Sequence, residues 1–160
     1  MTVKLTVPLG VVVMREAGSR PWEDFRWRTV RVVLDPVEKT DWHNHPTATA
    51  RDLMATTEQL VLQHEEAMSY RVNLANGEPS VYVVLRHDPH GPEKPVAVRQ
   101  VTASPFEARS KGDPVLDWVD RVPMPARLVT LIESFIAASH SEGMRGTSGL
   151  SASAGGSFEP

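Results

Sequence analysis

The hydrophobic residues of this chain fall mostly into short runs with the two-residue period of β-strands. Each run is rich in β-branched residues or alternates apolar with polar positions, as strands do. The run at 80–86 is almost continuously apolar, which predicts a strand buried on both faces at the centre of a sheet. The last run also fits a helix, although a strand is favoured. The predicted strands are residues 7–13, 25–34, 57–63, 80–86, 96–102 and 116–122.

Three further segments carry helical signals. Residues 64–73 shift to helical spacing, and Asn76-Gly77 marks the end of that helix. Ser104 and Glu107 form a capping-box pattern with proline at the first helical position, which predicts a short helix. A stripe of apolar residues after Pro125 predicts the longest helix, in which Leu128, Leu131, Ile132, Phe135 and Ile136 face the core. In the first helix the residues predicted to turn inward are Ala67, Tyr70, Val72 and Leu74.

These elements predict an α+β fold with a single, mainly antiparallel sheet of about five or six strands and two or three helices. Residues 1–140 form one domain in this interpretation. Residues 141–160 are rich in glycine and serine, with almost nothing apolar between Leu150 and Phe158, so we expect a flexible, disordered C-terminal tail.

Composition narrows the possible functions. The chain has 160 residues, 41% apolar and 23% charged, a balance typical of a globular domain. Its net charge of −3 lacks the basic excess typical of nucleic-acid binders, so we expect no nucleic-acid partner. No run of roughly 18 apolar residues occurs, so we expect no membrane insertion. The apolar run in residues 2–8 is too short for a signal peptide and cysteine is absent, so we expect a cytoplasmic location. The chain contains no cysteine, which excludes disulfides, thiolate metal sites and cysteine nucleophiles.

Motifs for catalysis or metal binding are also missing. The sequence has no dinucleotide-binding, phosphate-loop or hydrolase-nucleophile motif, and residues 64–68 lack the second histidine of a zinc-protease helix. The pairs His43 with His45 and His87 with His90 have spacing compatible with zinc or copper, but neither has an evident third ligand. We interpret them as solvated loop histidines. The sequence therefore assigns no catalytic residue, no metal site and no cofactor.

A cluster of tryptophan and arginine is the most distinctive chemical feature. On an extended backbone, Trp27 points to one face of its strand while Arg26 and Arg28 point to the other, and Trp22 lies in the preceding turn. At the beginning of this strand both faces carry polar or charged residues together with apolar ones, which suggests that this end leaves the core. Tryptophan and arginine are enriched at interface hot spots, so Trp22, Arg26, Trp27 and Arg28 are the predicted protein-interaction residues. The alternatives are a partly exposed strand whose arginines pair with nearby acids, or a site for an anionic ligand.

The chain resembles a bacterial family, domain-of-unknown-function family 3305. Six short segments in order carry the resemblance and span most of the predicted domain: residues 8–13, 21–22 with 26–28, 70–74, 79–86, 101–108 and 122–125. Members often end in a short basic tail, whereas the last segment of this chain, Ser141–Pro160, is rich in glycine and serine.

The resemblance implies a genomic context: such proteins are encoded near molybdenum- or tungsten-dependent formate dehydrogenases and their maturation factors. It supplies no catalytic residues. An electron-transfer subunit needs iron–sulfur ligands and a sulfurtransferase needs a reactive thiol, and this chain has no cysteine for either role. We therefore expect a non-enzymatic accessory protein, either an assembly chaperone or a small subunit, whose partner is a formate dehydrogenase subunit or a maturation factor. The alternative is a small-molecule binder or small enzyme that uses the Trp/Arg cluster for an anionic ligand.

Overall fold

The computed structural model describes the backbone of residues 4–17, 25–34, 53–88 and 96–154, and side chains within 4–16, 26–34, 53–88 and 96–140. The described part contains six strands and three α-helices, and a 3-10 turn (His64–Glu66) leads into the first helix. The elements are β1 (Lys4–Ala17), β2 (Phe25–Leu34), β3 (Leu53–Gln63), α1 (Ala67–Ala75), β4 (Ser80–His87), β5 (Val96–Thr102), α2 (Pro105–Ser110), β6 (Asp117–Pro123) and α3 (Ala126–Ala154).

The strands form two separate antiparallel sheets, so the prediction of a single sheet is wrong. The first sheet has the order β2-β1-β3 and the second β5-β4-β6. Edge strand β2 lies beside β6, and edge strand β3 lies beside β5. At the first of these seams the link is a side chain: the Thr29 amide donates to Asp120 Oδ2 at 2.8 Å. The edge strands of the two sheets therefore lie side by side without pairing through backbone hydrogen bonds. Periodicity along the chain predicts the strands but not which strands pair.

The core lies between the inner faces of the two sheets. Odd-numbered residues of β1 from Val7 to Val13 are buried in it, as are alternate residues of the central strand β4. This confirms that residues 80–86 form a central strand buried on both faces, because Val84 is also buried, on the outer face. A Cβ built on Gly112 would lie 3.6 Å from Val84 Cγ1, so the chain segment after α2 covers that outer face.

A β-bulge explains the mixed faces of β2. The pairing with β1 shifts between Val12, which opposes Arg31, and Val13, which opposes Thr29, so Val30 is the extra residue. Trp27 and Thr29 face inward before the bulge, and Val32 does so after it. Without the extra residue, strict alternation would bring Arg31 into the core. The first half of β2 therefore stays in the core, contrary to the expectation that this end leaves it.

The helices pack on the same core. The predicted stripe of α3 is confirmed: Leu128, Ile132, Phe135 and Ile136 are buried and Leu131 is packed against them. Tyr70 of α1 is fully buried, makes an edge-to-face contact with Phe135 at 6.2 Å between ring centroids, and accepts a hydrogen bond from the Gln63 amide at 2.9 Å. Burial raises the pKa of the Tyr70 hydroxyl to about 12.

The helices differ from the sequence-based prediction in one inward-facing residue and at one end. Val72 is exposed, because α1 turns Ser69, Tyr70 and Asn73 inward instead. The α3 backbone continues as far as Ala154, into the range assigned to a disordered tail, and the separability of residues 141–160 from the domain stays a prediction. Within the described residues, no helix is both long and apolar enough to cross a membrane.

Candidate functional site

The predicted Trp/Arg cluster does not converge on one point. Trp27 is only 7% exposed and belongs to the hydrophobic core, whereas Arg26 and Arg28 are exposed on the opposite face of β2. Arg28 Nε lies 3.3 Å from Glu16 Oε1 on the neighbouring strand. Trp22 lies outside the described residues. The arginines therefore remain available on the surface, but Trp27 is a core residue and does not share a pocket with them.

The histidines show no metal site in the described part of the chain. His43, His45 and His90 lie outside it, and His87 is exposed, with its ring 4.7 Å from the Trp118 ring between centroids. No group of three or more histidine, cysteine, aspartate or glutamate residues within the described ranges is arranged to hold a metal ion.

A turn that the sequence did not single out is held by several hydrogen bonds to its own side chains. It connects α2 to β6, and two carboxylates shape it. Asp113 Oδ1 accepts hydrogen bonds from the amides of Val115 at 2.8 Å and Leu116 at 3.0 Å. Asp117 Oδ2 accepts from the Asp113 amide at 2.7 Å. The turn is thus fixed by its own side chains, in the way that aspartate commonly stabilises turns.

Arg86 of β4 anchors this turn to the sheet. Its Nε donates to Asp117 Oδ1 at 2.6 Å and its NH2 group donates to Asp117 Oδ2 at 3.1 Å, a bidentate pair. Arg86 and Asp117 also oppose each other in the β4–β6 register, so strand pairing places both groups in position. Bidentate arginine–carboxylate contacts fix geometry as well as charge, and the turn therefore has little freedom to move relative to the sheet.

The turn presents apolar side chains to solvent. Val115 is 88% exposed and Leu116 is 55% exposed. Val119 on β6 is 40% exposed. It opposes Val84 in the β4–β6 pairing, and Val84 is the residue that Gly112 covers on the outer face of the sheet. We call these three residues the 113–119 surface. In the sequence, Val115 and Leu116 directly follow Asp113-Pro114 at the start of the last predicted strand, and two adjacent apolar residues at such a turn are the signal that could have marked this surface.

Both turn carboxylates have lowered pKa values. Hydrogen bonds from the Leu116 and Val115 amides lower the pKa of Asp113, and the hydrogen bonds from Arg86 and from the Asp113 amide lower that of Asp117. Their contribution to stability is therefore fully present above the ordinary aspartate pKa of about 3.9 and is lost as the pH falls through the lower folded values.

We therefore expect acid to loosen the turn before the sheet. Amide protection factors of Val115 and Leu116, measured by NMR against those of β4, should stay constant from pH 6 to about pH 4 and fall below about pH 4, as Asp113 is protonated. Asp113→Asn keeps an acceptor that does not titrate, so its protection should change little over that range. Equal pH dependence in the variant and the original chain would contradict this role of Asp113.

Several residues from the segments that carry the family resemblance hold the interior together. Asn73 donates through Nδ2 to the carbonyls of Ser80 at 2.7 Å and Ala103 at 2.8 Å, and accepts from the Ser80 amide at 3.0 Å. Ser104 accepts from the Glu107 amide at 3.1 Å, which confirms the helix cap. The reciprocal half of the capping box is absent, because the Ser104 amide donates to Thr102 Oγ1 instead. These polar contacts position α1 and α2 on the second sheet.

Two clefts open on the described surface. One, with a volume of about 480 Å³, lies where β4 begins and β6 ends, and includes Arg121. The other, of about 380 Å³, lies along the seam between β3 and β5, with Arg99 and the Lys111–Glu107 ion pair in its lining. Both clefts are shallow and mix polar with apolar residues.

Comparison with known proteins supports the family suggested by the sequence. A search of curated proteins and a search of solved structures each found no match to this chain. A family model, that of Protein of unknown function (DUF3305), matches residues 8–146 and so covers five strands in full, most of β1, and the three helices except the end of α3. Because this match extends over most of the chain, the protein belongs to the DUF3305 family.

Proposed function

We propose that this protein is a non-enzymatic accessory protein that docks on another protein through the 113–119 surface. The observation that carries the proposal is the exposure of Val115 and Leu116 on a turn that Asp113, Asp117 and Arg86 hold in one geometry. Exposed apolar residues that cluster on one surface are typical of interaction sites.

The rigidity of the turn supports docking over accidental exposure. A loop that must become ordered on binding loses conformational entropy, and this loss weakens the complex. The Asp113 and Asp117 hydrogen bonds order the turn in the free protein, so little of that loss remains. The surface is therefore suited to contact an apolar patch on a partner without rearrangement.

The proposed partner is a subunit or a maturation factor of a molybdenum- or tungsten-dependent formate dehydrogenase. The support for this partner is the genomic context implied by the family resemblance. An assembly chaperone would bind transiently during maturation, whereas a small subunit would remain in the purified enzyme.

We predict that Val115→Asp with Leu116→Asp weakens the association about tenfold or more, because each new carboxylate would be desolvated at an apolar contact. The measurement is co-purification of the tagged protein with formate dehydrogenase at native expression level, followed by affinity measurement with the purified partner. Met68→Asp is the control, since Met68 on α1 is 69% exposed, between the values of Val115 and Leu116, and lies outside the 113–119 surface.

The arginines predicted from the sequence serve as a competing surface in the same assay. If Arg26→Ala with Arg28→Ala abolishes association while the aspartate variant binds normally, the docking site lies on β2 and the 113–119 proposal is wrong. If the Met68→Asp control is as damaging as the double variant, the effect is not specific to the turn, and the proposal fails equally.

A further inference from the structure

The cleft at the beginning of β4 and the end of β6 contains an arginine whose hydrogen-bond acceptors are all neutral. Arg121 lies on β6 with its guanidinium exposed at the cleft. Its Nε donates to Ser80 Oγ at 2.8 Å and its NH2 group donates to the Glu78 carbonyl oxygen at 3.0 Å. Both acceptors are neutral, and no described carboxylate forms an ion pair with Arg121. The guanidinium is therefore oriented by hydrogen bonds while its positive charge remains unneutralised.

Arg86 differs from Arg121 in its partner. It lies on the neighbouring strand β4, four residues after Tyr82, which opposes Arg121 in the strand pairing. It uses the same Nε and NH2 groups, but both donate to the carboxylate of Asp117, which neutralises the charge. A guanidinium has five N–H donors in a fixed fork. With two donors directed at Ser80 and Glu78, Arg121 keeps three, including the pair on its outer edge, which matches the two oxygens of a carboxylate.

The groups that orient Arg121 are themselves fixed. Ser80 is buried, and Asn73 binds both its amide and its carbonyl. The Ser80 hydroxyl also donates to the Glu78 carbonyl at 2.8 Å, so the two acceptors of Arg121 are linked to each other. Between these two acceptors in the chain, the Pro79 carbonyl accepts a hydrogen bond from the Met124 amide at 2.9 Å. The position of the guanidinium is thus set before any ligand arrives.

The remaining wall of the cleft is apolar. Pro79 and Pro123 line it beside the guanidinium, and Pro123 lies on the same face of β6 as Arg121, whereas the side chains of Val122 and Met124 are buried in the core. We propose that this cleft binds a carboxylate carried on a small apolar group, with the carboxylate on the outer edge of Arg121 and the apolar group against Pro79 and Pro123. The site is separate from the 113–119 surface and from the partner proposed above.

The charges at the cleft favour a monoanion. Glu78 also lines the cleft and is exposed, so its negative charge belongs to the same lining and would repel an anion there. A phosphate dianion would meet this repulsion with only one described cation in the lining to offset it. A singly charged carboxylate requires only the one bidentate contact that Arg121 offers. The same chemistry occurs in free monocarboxylic acids and in the C-terminal carboxylate of a peptide.

The test is an NMR titration of the ¹⁵N-labelled protein with three probes that share an isobutyl group. N-acetyl-leucine resembles a peptide C-terminus, 4-methylpentanoate is a free acid, and N-acetyl-leucinamide lacks the carboxylate. We expect saturable shifts of the Arg121 Nε–H and Ser80 amide signals with the carboxylates and none with the amide. Tighter binding of N-acetyl-leucine indicates the peptide terminus as the natural source, and equal or tighter binding of 4-methylpentanoate indicates a free acid.

Variants distinguish a built site from general surface charge. Arg121→Gln should weaken carboxylate binding about tenfold or more, because the charge-assisted bidentate contact is lost. Glu78→Gln should strengthen it about two- to threefold by removing the repulsion. Arg109→Gln, which removes an exposed positive charge from α2, should leave binding unchanged. If Arg121→Gln does not fold, Arg121→Lys retains the charge without the fork and should still bind several-fold more weakly.

Three results would overturn the proposal. One is the lack of saturable shifts at Arg121 and Ser80 with either carboxylate. Another is equal binding of the amide and the acids. The last is an equal loss of binding in the Arg109→Gln and Arg121→Gln variants, because that pattern reports net charge and not a site.

Discussion

Replacing Trp27 by alanine should lower the free energy of unfolding by about 3–5 kcal/mol, the usual result of removing a large aromatic side chain from a core. Trp27 lies among the buried residues between the two sheets, and the bulge at Val30 keeps it there while Arg31 stays outside. Chemical denaturation followed by fluorescence or circular dichroism measures the change.

Arg26→Ala is the matched control on the same strand. Arg26 is exposed on the opposite face, so its replacement should change the free energy of unfolding by no more than about 0.5 kcal/mol. Similar small effects for both variants would mean that Trp27 is not in the core. In that case the tryptophan would again be a candidate for the interaction surface.

The second large effect is expected from Asn73→Ala, which should lower the free energy of unfolding by about 3 kcal/mol or more. The substitution removes three hydrogen bonds. The Ser80 amide and the Ser80 and Ala103 carbonyls, all buried, then lose the partner that Asn73 provides. Each buried group left without a partner costs about 1–3 kcal/mol. Thermal or denaturant unfolding measures the loss.

Asn76→Ala provides the comparison for that variant. Asn76 follows α1 by one position and is exposed, so its side chain should contribute little to stability. If the two alanine variants unfold at the same denaturant concentration, the contacts of Asn73 do not hold α1 to the second sheet as the geometry implies.

Local elements were predictable because each has a short-range signal. All six strands and the stripe of α3 follow from periodicity, and the positive φ of Gly77 follows from its place after a helix. The division into two sheets was not predictable, because it depends on which distant edges pair. The bulge at Val30 was also hidden, since one extra residue reverses the face of every residue that follows it.

The candidate site was less predictable than the fold. Trp27, Arg26 and Arg28 were predicted as interaction residues from their residue types. In the fold Trp27 is buried in the core, on the opposite face of β2 from the two exposed arginines. The 113–119 surface depends on Asp113 and Asp117 acting together with Arg86, which is about thirty residues earlier in the chain. Likewise, the exposure of Val115 and Leu116 becomes evident only when the turn is placed on the sheet.

The most direct test of the proposed docking surface is hydrogen–deuterium exchange of this protein with and without purified formate dehydrogenase. The proposal predicts slower exchange in the complex for amides in residues 112–119, with little change for β2. Slower exchange confined to residues 25–34, or none at 112–119 in a complex that demonstrably forms, would contradict it.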